Sequence, residues 1–338
     1  MTRGGATRGR SVSCNSGGFT VMNDDLSMHR GATSCEQVHG GRCTPHVRWA
    51  VAGLIAFAAM LGVDQPARAG RGGSPQAIAS AISSGSADAI KSELERAEYL
   101  VCAACVPYVL PLIDSEDPSI RQVAAWWLAR RGTSRQVFSD MLTRLSQPDA
   151  VKARNAADVL GEFARPQAIP ALGAALSNPL FDAPSRAAMA RALGAIRRPE
   201  AAAPLQNALG DAAPLVRAAA LSAIRKVEGV QQGLQQGLQQ GLNVGSMAIP
   251  LLADSDDGVR IEAIFTVAEL RTVASAPALV SLLQSDASAS VRKRAAWALG
   301  EIHAPASVAG AALSEAARSD ASPLVRSLAA AALRNLGR

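Results

Sequence analysis

The sequence predicts an all-α protein, a right-handed α-solenoid (α-α superhelix) of about seven helical hairpins with a capping helix pair at the amino end. Three observations carry this. Apolar residues make up 49% of the chain and aromatic residues only 4%, a composition that favours closely stacked helices built from small and aliphatic side chains. Beyond Cys105 one pattern recurs: an apolar helix, a short turn with Asp or Asn and often Pro, then an Arg near the start of a second, Ala-rich helix. The recurrence keeps one period. Self-similarity every 20–50 residues with two helices per unit marks a stacked array, because one hairpin cannot bury its own apolar face.

The chain opens with residues 1–46, rich in Gly, Ser and Arg and without periodicity, which read as a disordered leader; a true start at Met22 or Met28 would shorten it. Trp49 to Val63 is an uncharged apolar run after His46 and Arg48, followed by Ala67 and Ala69 in a small-residue cleavage pattern. Basic flank, apolar stretch and small-residue site are the parts of a secretory signal, here 47–69, with cleavage after Ala69. The alternative is a retained membrane anchor, for which fifteen residues fall short of the ~20 a span needs. No Arg-Arg pair precedes the run. The expected location is therefore the periplasm or the exterior.

Removing the leader and signal leaves Cys102 and Cys105 as the remaining cysteines. In an oxidising compartment this C-x-x-C spacing suggests a disulfide or buried structural thiols, with a redox pair and an intermolecular metal or disulfide link as alternatives. Val106 follows Cys105, so the haem-attachment motif is absent. Residues 70–106 hold two short amphipathic segments around Gly85-Ser86 and read as a degenerate cap that the cysteines join to the first full unit.

The array occupies 107–338. Its registering residues are Arg121, Arg186, Arg217, Arg260, Arg292 and Arg326, each with an aliphatic residue seven positions later, and a further unit registers at Ala153 with Leu160. Successive spacings are 32, 33, 31, 43, 32 and 34 residues, and the long one contains QQGLQQGLQQGL at 231–242, whose removal restores the period. That insertion reads as a surface loop. Pro107, Pro170, Pro204 and Pro277 suit the starts of first helices and Pro118, Pro214 and Pro323 those of second helices, where a missing N–H costs nothing. Asp211, Asp254, Asp286 and Asp320 each lie six residues before a registering Arg. Each is expected to cap its turn and pair with an Arg of the same or an adjacent unit, giving a structural ladder that also includes Arg121 and Arg186.

Segments such as AIPALGAALSN, LLADSDDGVRIEAIFTVAEL and SVRKRAAWALGEIHAPAS resemble short bacterial HEAT repeats, also called phycobilisome-lyase-like repeats. The resemblance spans roughly two thirds of the chain and implies a docking surface. Catalytic relatives in fold, such as deoxyhypusine hydroxylase with its paired His-Glu iron sites, imply chemistry that the single histidine after Ala69, His303, does not match. A bilin-lyase-like activity would rest on the repeats alone.

No Gly-rich phosphate loop, G-x-S-x-G elbow or H-E-x-x-H motif occurs, and Asp254, Asp256, Asp257 and Gly258 lack the spacing of a calcium loop. Of the formal charge of +6, half lies in residues 1–69, so the array carries a mixed surface rather than a stripe that tracks phosphate. The expected function is a non-catalytic protein-binding scaffold of the cell envelope, without cofactor, metal or nucleic acid and with no membrane span after cleavage. A redox component using Cys102 and Cys105, and a HEAT-like oxidoreductase or bilin-lyase-like enzyme, are the alternatives. Candidate partner contacts are Trp127, Arg191, Glu262, Lys293, Arg294 and Trp297. Trp126 and Trp127 cannot share a helix face, so at least one belongs to the core.

Overall fold

A computed structural model describes residues 73–227 and 244–336, which are helical and contain no strand. The leader, the signal segment and the QQGL insertion lie outside the described residues. The cap is α1 (Pro75–Ser83) and α2 (Ala87–Arg96). Seven hairpins follow: α3 (Val106–Val109) with α4 (Pro118–Ala129), α5 (Ser134–Leu145) with α6 (Ala150–Phe163), α7 (Ile169–Leu176) with α8 (Ala183–Ile196), and α9 (Ala202–Ala208) with α10 (Pro214–Ile224). Beyond the insertion come α11 (Val244–Ala248) with α12 (Asp257–Glu269), α13 (Ala276–Ser285) with α14 (Ala289–Glu301), and α15 (Ala306–Ser319) with α16 (Pro323–Leu333).

Helix starts follow their sequence signals. Pro118, Pro214 and Pro323 each occupy the first helical position, where no intrahelical bond is lost. Asp149, Asp182 and Asp256 accept the backbone N–H three residues on at 3.0, 2.9 and 3.1 Å, satisfying amides that a helix start leaves open.

Second helices stack directly on one another, and glycine sets the spacing. A Cβ at Gly161, Gly194 or Gly300 would stand 3.1, 2.7 or 3.2 Å from the Cα of Ala192, Ala223 or Ala332 in the following unit. All three glycines lie eight residues after a registering position, and each faced alanine lies six after the next one. Around these contacts Leu128, Leu160, Leu193, Ile224, Val267 and Leu299 are fully buried and form one continuous core. Burying a Leu or Ile side chain contributes about 1.5–3 kcal/mol, so the stacked interface, not any single hairpin, carries the stability.

The joint beside the insertion departs from this pattern. Arg225 stands where the glycine would be and Thr266 where the alanine would be. The Arg225 guanidinium donates to Thr266 Oγ1 at 3.0 Å and to the Glu262 backbone carbonyl and carboxylate at 3.2 and 2.9 Å, and lies 3.3 Å from Glu269. An apolar close approach is replaced there by a polar one.

The ladder runs forward along the array. Arg186, Arg217, Arg260 and Arg292 each place Nε and Nη2 on the carboxylate of the following unit, respectively Asp211 (3.1 and 2.9 Å), Asp254 (2.7 and 2.7 Å), Asp286 (2.8 and 3.1 Å) and Asp320 (2.8 and 3.1 Å). The third nitrogen, Nη1, turns back to the arginine's own unit and donates to the backbone carbonyl of the residue six before it in Arg217, Arg260, Arg292 and Arg326. Each carboxylate also accepts the backbone N–H two residues on. One Asp thus caps its own turn and clasps its predecessor. The ladder has one irregular rung, Arg121 on Asp158 within α6, because its usual slot holds Gln147. Where Ala153 replaces the arginine, the next unit carries Leu180 in place of Asp.

The Cys102 and Cys105 sulfurs are bonded to each other, with Cα atoms 5.3 Å apart. They lie in the core between α1 and α3, with Cys105 fully buried and Cys102 nearly so. Trp127 and Arg131 secure the same region by donating to the Ala97 carbonyl at the end of α2, at 3.2 and 2.9 Å. No helix among the described residues is long and apolar enough to cross a membrane.

Candidate protein-binding surface

The positions one, five and nine residues after each registering residue are partly or fully exposed in the second-helix layer, apart from the buried Ala187. Their chemistry changes from unit to unit. The fifth is Trp126, Asp158, Arg191, Ser222, Phe265, Trp297 and Ala331 in successive units, and none of these is buried. The positions three, four and seven after the register are instead small or apolar and packed inside, except Ala330 and Leu333 of α16, which are half-buried. A surface whose chemistry changes from unit to unit, on a frame that does not, suits recognition.

Aromatic side chains gather at two places on this face. Phe265 on α12 and Trp297 on α14 meet edge to face with centroids 5.5 Å apart. The Arg294 guanidinium lies 4.3 Å from the Phe265 ring centroid, and its buried Nε has no hydrogen-bond partner among the described residues. Lys293 is half-buried beside it. Near the cap, Trp126 lies in a groove of about 360 Å³ lined by Lys91, Glu95, Gln122 and Glu162. Arg130 covers its ring at 4.5 Å, and Gln122 donates to Glu162 at 2.9 Å across the α4–α6 seam. Each place combines a rigid ring with a weakly hydrated guanidinium, a pairing common at protein interfaces.

The structure sorts the expected contacts. Arg191, Lys293, Arg294 and Trp297 reach this surface. Trp127 does not: it is fully buried, its indole N–H spent on Ala97 and its ring under the Arg131 guanidinium at 4.0 Å. Trp126, one residue earlier and so turned by about 100° around α4, is the half-buried ring on this face. Glu262 is half-buried and its carboxylate is held by Arg225, so it stabilises the α10–α12 joint. Phe265 was missed although it stands five residues after Arg260, as Trp297 does after Arg292. Arg225 was missed although it breaks the small-residue rule at its position.

Asp211, Asp254 and Asp320 of the ladder are electrostatically set to stay ionised. The Arg217 guanidinium hydrogen-bonded to Asp254 holds its carboxyl below the ordinary carboxylate range despite partial burial, and Arg292 does the same to Asp320. At Asp211 burial pushes upward, but the bonds from Arg186 and Ala213 outweigh it. These groups are structural and lie at the turns. His303 ends α14 in a left-handed conformation (φ 48°) and is exposed. Among the described residues no group of three or more His, Cys, Asp or Glu is placed to hold a metal ion.

Residues 138–225 and 246–334, just over half of the chain, match HEAT repeats. No curated protein matches the sequence. Among solved structures, importin beta is similar at 10% identity and a TM-score of 0.54, over 78% of this chain and 42% of importin beta. YibA from Escherichia coli is similar at 17% identity and a TM-score of 0.48, over 76% of this chain and 91% of that one. The complex of CpcE and CpcF of phycocyanin lyase from Nostoc sp. PCC7120 is similar at 22% identity and a TM-score of 0.34, over 68% of this chain and 93% of that one. The importin beta likeness is one of fold, and this chain spans less than half of that protein.

Proposed function

The chain belongs to the HEAT-repeat family, and on that premise we propose that it is a non-catalytic scaffold of the cell envelope that binds a protein partner on the face formed by its second helices. The supporting observation is the Phe265–Trp297 pair with Arg294: two large, half-buried rings at the surface of an array that builds three of its second-helix seams from Gly facing Ala. Burial of such rings by a partner, with a guanidinium already desolvated on one side, is the arrangement of an interface anchor. Arg191 on α8 and Lys293 on α14 add charge to the second-helix layer. The sulfurs of Cys102 and Cys105 are buried in the core, which supports a structural tether of the cap over exchange with an external thiol, since exchange needs access.

Export is part of the same reading. It rests on the uncharged run before Ala67 and Ala69, and a mature protein beginning at Gly70 in the envelope fraction is the expected result. Recovery of full-length chain from the cytoplasm alone would refute it. For the surface, a photo-crosslinking amino acid is placed at Trp297 or, on the first-helix side, at Ala174, in cells that make the protein. A discrete adduct from position 297 and none from position 174 is expected; the same adducts from both, or none from 297, would refute the assignment.

A further inference from the structure

The two signs of charge are mixed along the sequence, and the hairpins sort them onto opposite edges. The second helices stack in one register, so the turns before them form one edge and the segments that join each unit to the next form the other. The turns, at 114–117, 146–149, 177–182, 209–213, 254–256, 286–288 and 320–322, hold ten carboxylates and no cation. The joining segments, at 97–102, 130–135, 164–168, 197–201, 225–227, 271–275 and 303–305, hold nine Lys or Arg residues, His303 and two carboxylates, Glu98 and Glu200. Neighbouring segments touch. Arg131 donates to the Glu98 carbonyl and Arg165 to Ser134, each at 2.9 Å. Some of the cations are engaged: Arg130 lies 3.7 Å from Glu98, and Arg225 holds Glu262. Arg135, Arg197, Lys226 and Arg271 are exposed and meet no carboxylate among the described residues. The same edge exposes apolar side chains, Tyr99 at 87%, Val101 at 97% and Val273 at 47%. It is also where the chain enters the array. A Cβ at Gly73 would lie 2.8 Å from that of Ala97 at the end of α2, and residues 64–72 separate Gly73 in sequence from the uncharged run Trp49 to Val63. The QQGL insertion departs from this edge after Val227, and 231–242 adds no charge to it.

From this sorting we infer that the basic edge rests on an anionic lipid bilayer, with its cations among the headgroup phosphates and Tyr99 and Val101 at the boundary between headgroups and acyl chains. Charge complementarity calls for an anionic partner. The exposed ring and valine call for a bilayer over a soluble polyanion, which has no apolar layer to receive them. The cations stand in a row of joining segments along the array, an arrangement that meets a plane. A chain leaving a bilayer after Val63 reaches this edge within about 30 Å of extended backbone; cleavage after Ala69 would remove the tether and leave the edge as it is. The opposite edge is out of range. Second helices of 11 to 14 residues are about 17–21 Å long, more than twice the screening length of about 8 Å in physiological salt. The contact is peripheral and involves no span. The aromatic face lies along the helices between the two edges, and neither reading depends on the other.

Partition of the full chain onto vesicles of phosphatidylcholine, with and without about one-third phosphatidylglycerol, is measured by sedimentation, and amide exchange of the bound protein locates the contact. The ratio of the two partition coefficients removes the contribution of the uncharged run, which enters both lipids alike. Each basic side chain near an anionic surface is worth about fivefold, so a preference of at least about fiftyfold for the phosphatidylglycerol vesicles is expected. Amides of 97–102 and 271–275 should be protected there, and those of 146–149 and 254–256 should not. Arg197→Asn with Arg271→Asn is expected to cut the preference about 25-fold. Both residues have a left-handed backbone (φ 58° and 46°), which Asn accepts. Lys152→Asn with Arg318→Asn makes the same change of net charge on the turn edge and is expected to cut it less than about twofold. Tyr99→Ser with Val101→Ser is expected to lower partition onto the phosphatidylglycerol vesicles about tenfold. Equal partition onto the two vesicles, equal losses from the two charge pairs, or protection of the turns would overturn the inference. So would heparin binding as tight as vesicle binding and untouched by Tyr99→Ser with Val101→Ser, because the partner would then be a soluble polyanion.

Discussion

Removing the Asp254 carboxylate tests the forward direction of the ladder. It accepts two charge-assisted bonds from Arg217 at 2.7 Å each and the Asp256 N–H at 3.0 Å, and the two side chains are 13% and 7% exposed. A bond to a charged group contributes about 1.5–3 kcal/mol net and a lost cap costs about 1. Water entering beside Arg217 recovers part of this, so Asp254→Ala is expected to destabilise by about 3 kcal/mol, the lower end for one partner removed from a buried pair. Arg217→Ala is expected to cost about 2 kcal/mol. The double variant should cost less than the sum, leaving a coupling of about 1–3 kcal/mol. Equilibrium urea unfolding followed by helical circular dichroism measures all four corners. Arg217 with Asp286, which share no contact, should add within about 0.5 kcal/mol. A coupling below about 0.5 kcal/mol for Arg217 with Asp254 would refute the ladder as a stabilising device.

Trp127→Ala is expected to cost about 3–5 kcal/mol by opening a cavity and unpinning the cap, while Trp126→Ala costs under about 1.5, so urea midpoints separate the adjacent residues. Arg225→Gly restores the residue typical of its position yet should destabilise by about 2 kcal/mol, because Glu262 and Thr266 lose their donor; faster amide exchange in α12 reports it. Acid should weaken the ladder. Asp254 and Asp320 are held below the ordinary value of 3.8 in the folded chain, so their contribution is full above that value and lost as pH falls through the lower folded values. Urea midpoints measured from about pH 5 to pH 2 should therefore fall less steeply in Asp254→Asn than in the parent.

The period, the helix pairing and the proline starts were legible because they arise from local chemistry repeated seven times. Arg and Asp at fixed offsets also announced a ladder, but not its direction: whether an Asp meets the arginine of its own unit or of a neighbour depends on how hairpins lie side by side. A clue was present in one paired absence, Ala153 without arginine and Leu180 without aspartate one unit later. The tryptophans show the complementary limit. Helical phase separates Trp126 from Trp127 by about 100°, yet which of them faces inward follows from the cap, whose Ala97 carbonyl accepts from the Trp127 indole and not from that of Trp126. Arg225 carries no sequence signal beyond a charge at a position usually small, and only the stack shows it filling a glycine's place.

The stacking itself is tested most directly by Gly194→Val, which drives side-chain atoms into the α8–α10 seam, where even a Cβ would lie 2.7 Å from the Ala223 backbone. Residue-resolved native hydrogen exchange should show protection lost in α8 and α10, less in α6 and α12, and little in α2 or α16, since each hairpin leans only on its neighbours. Uniform loss over the whole chain, or unchanged protection in α10, would contradict that account.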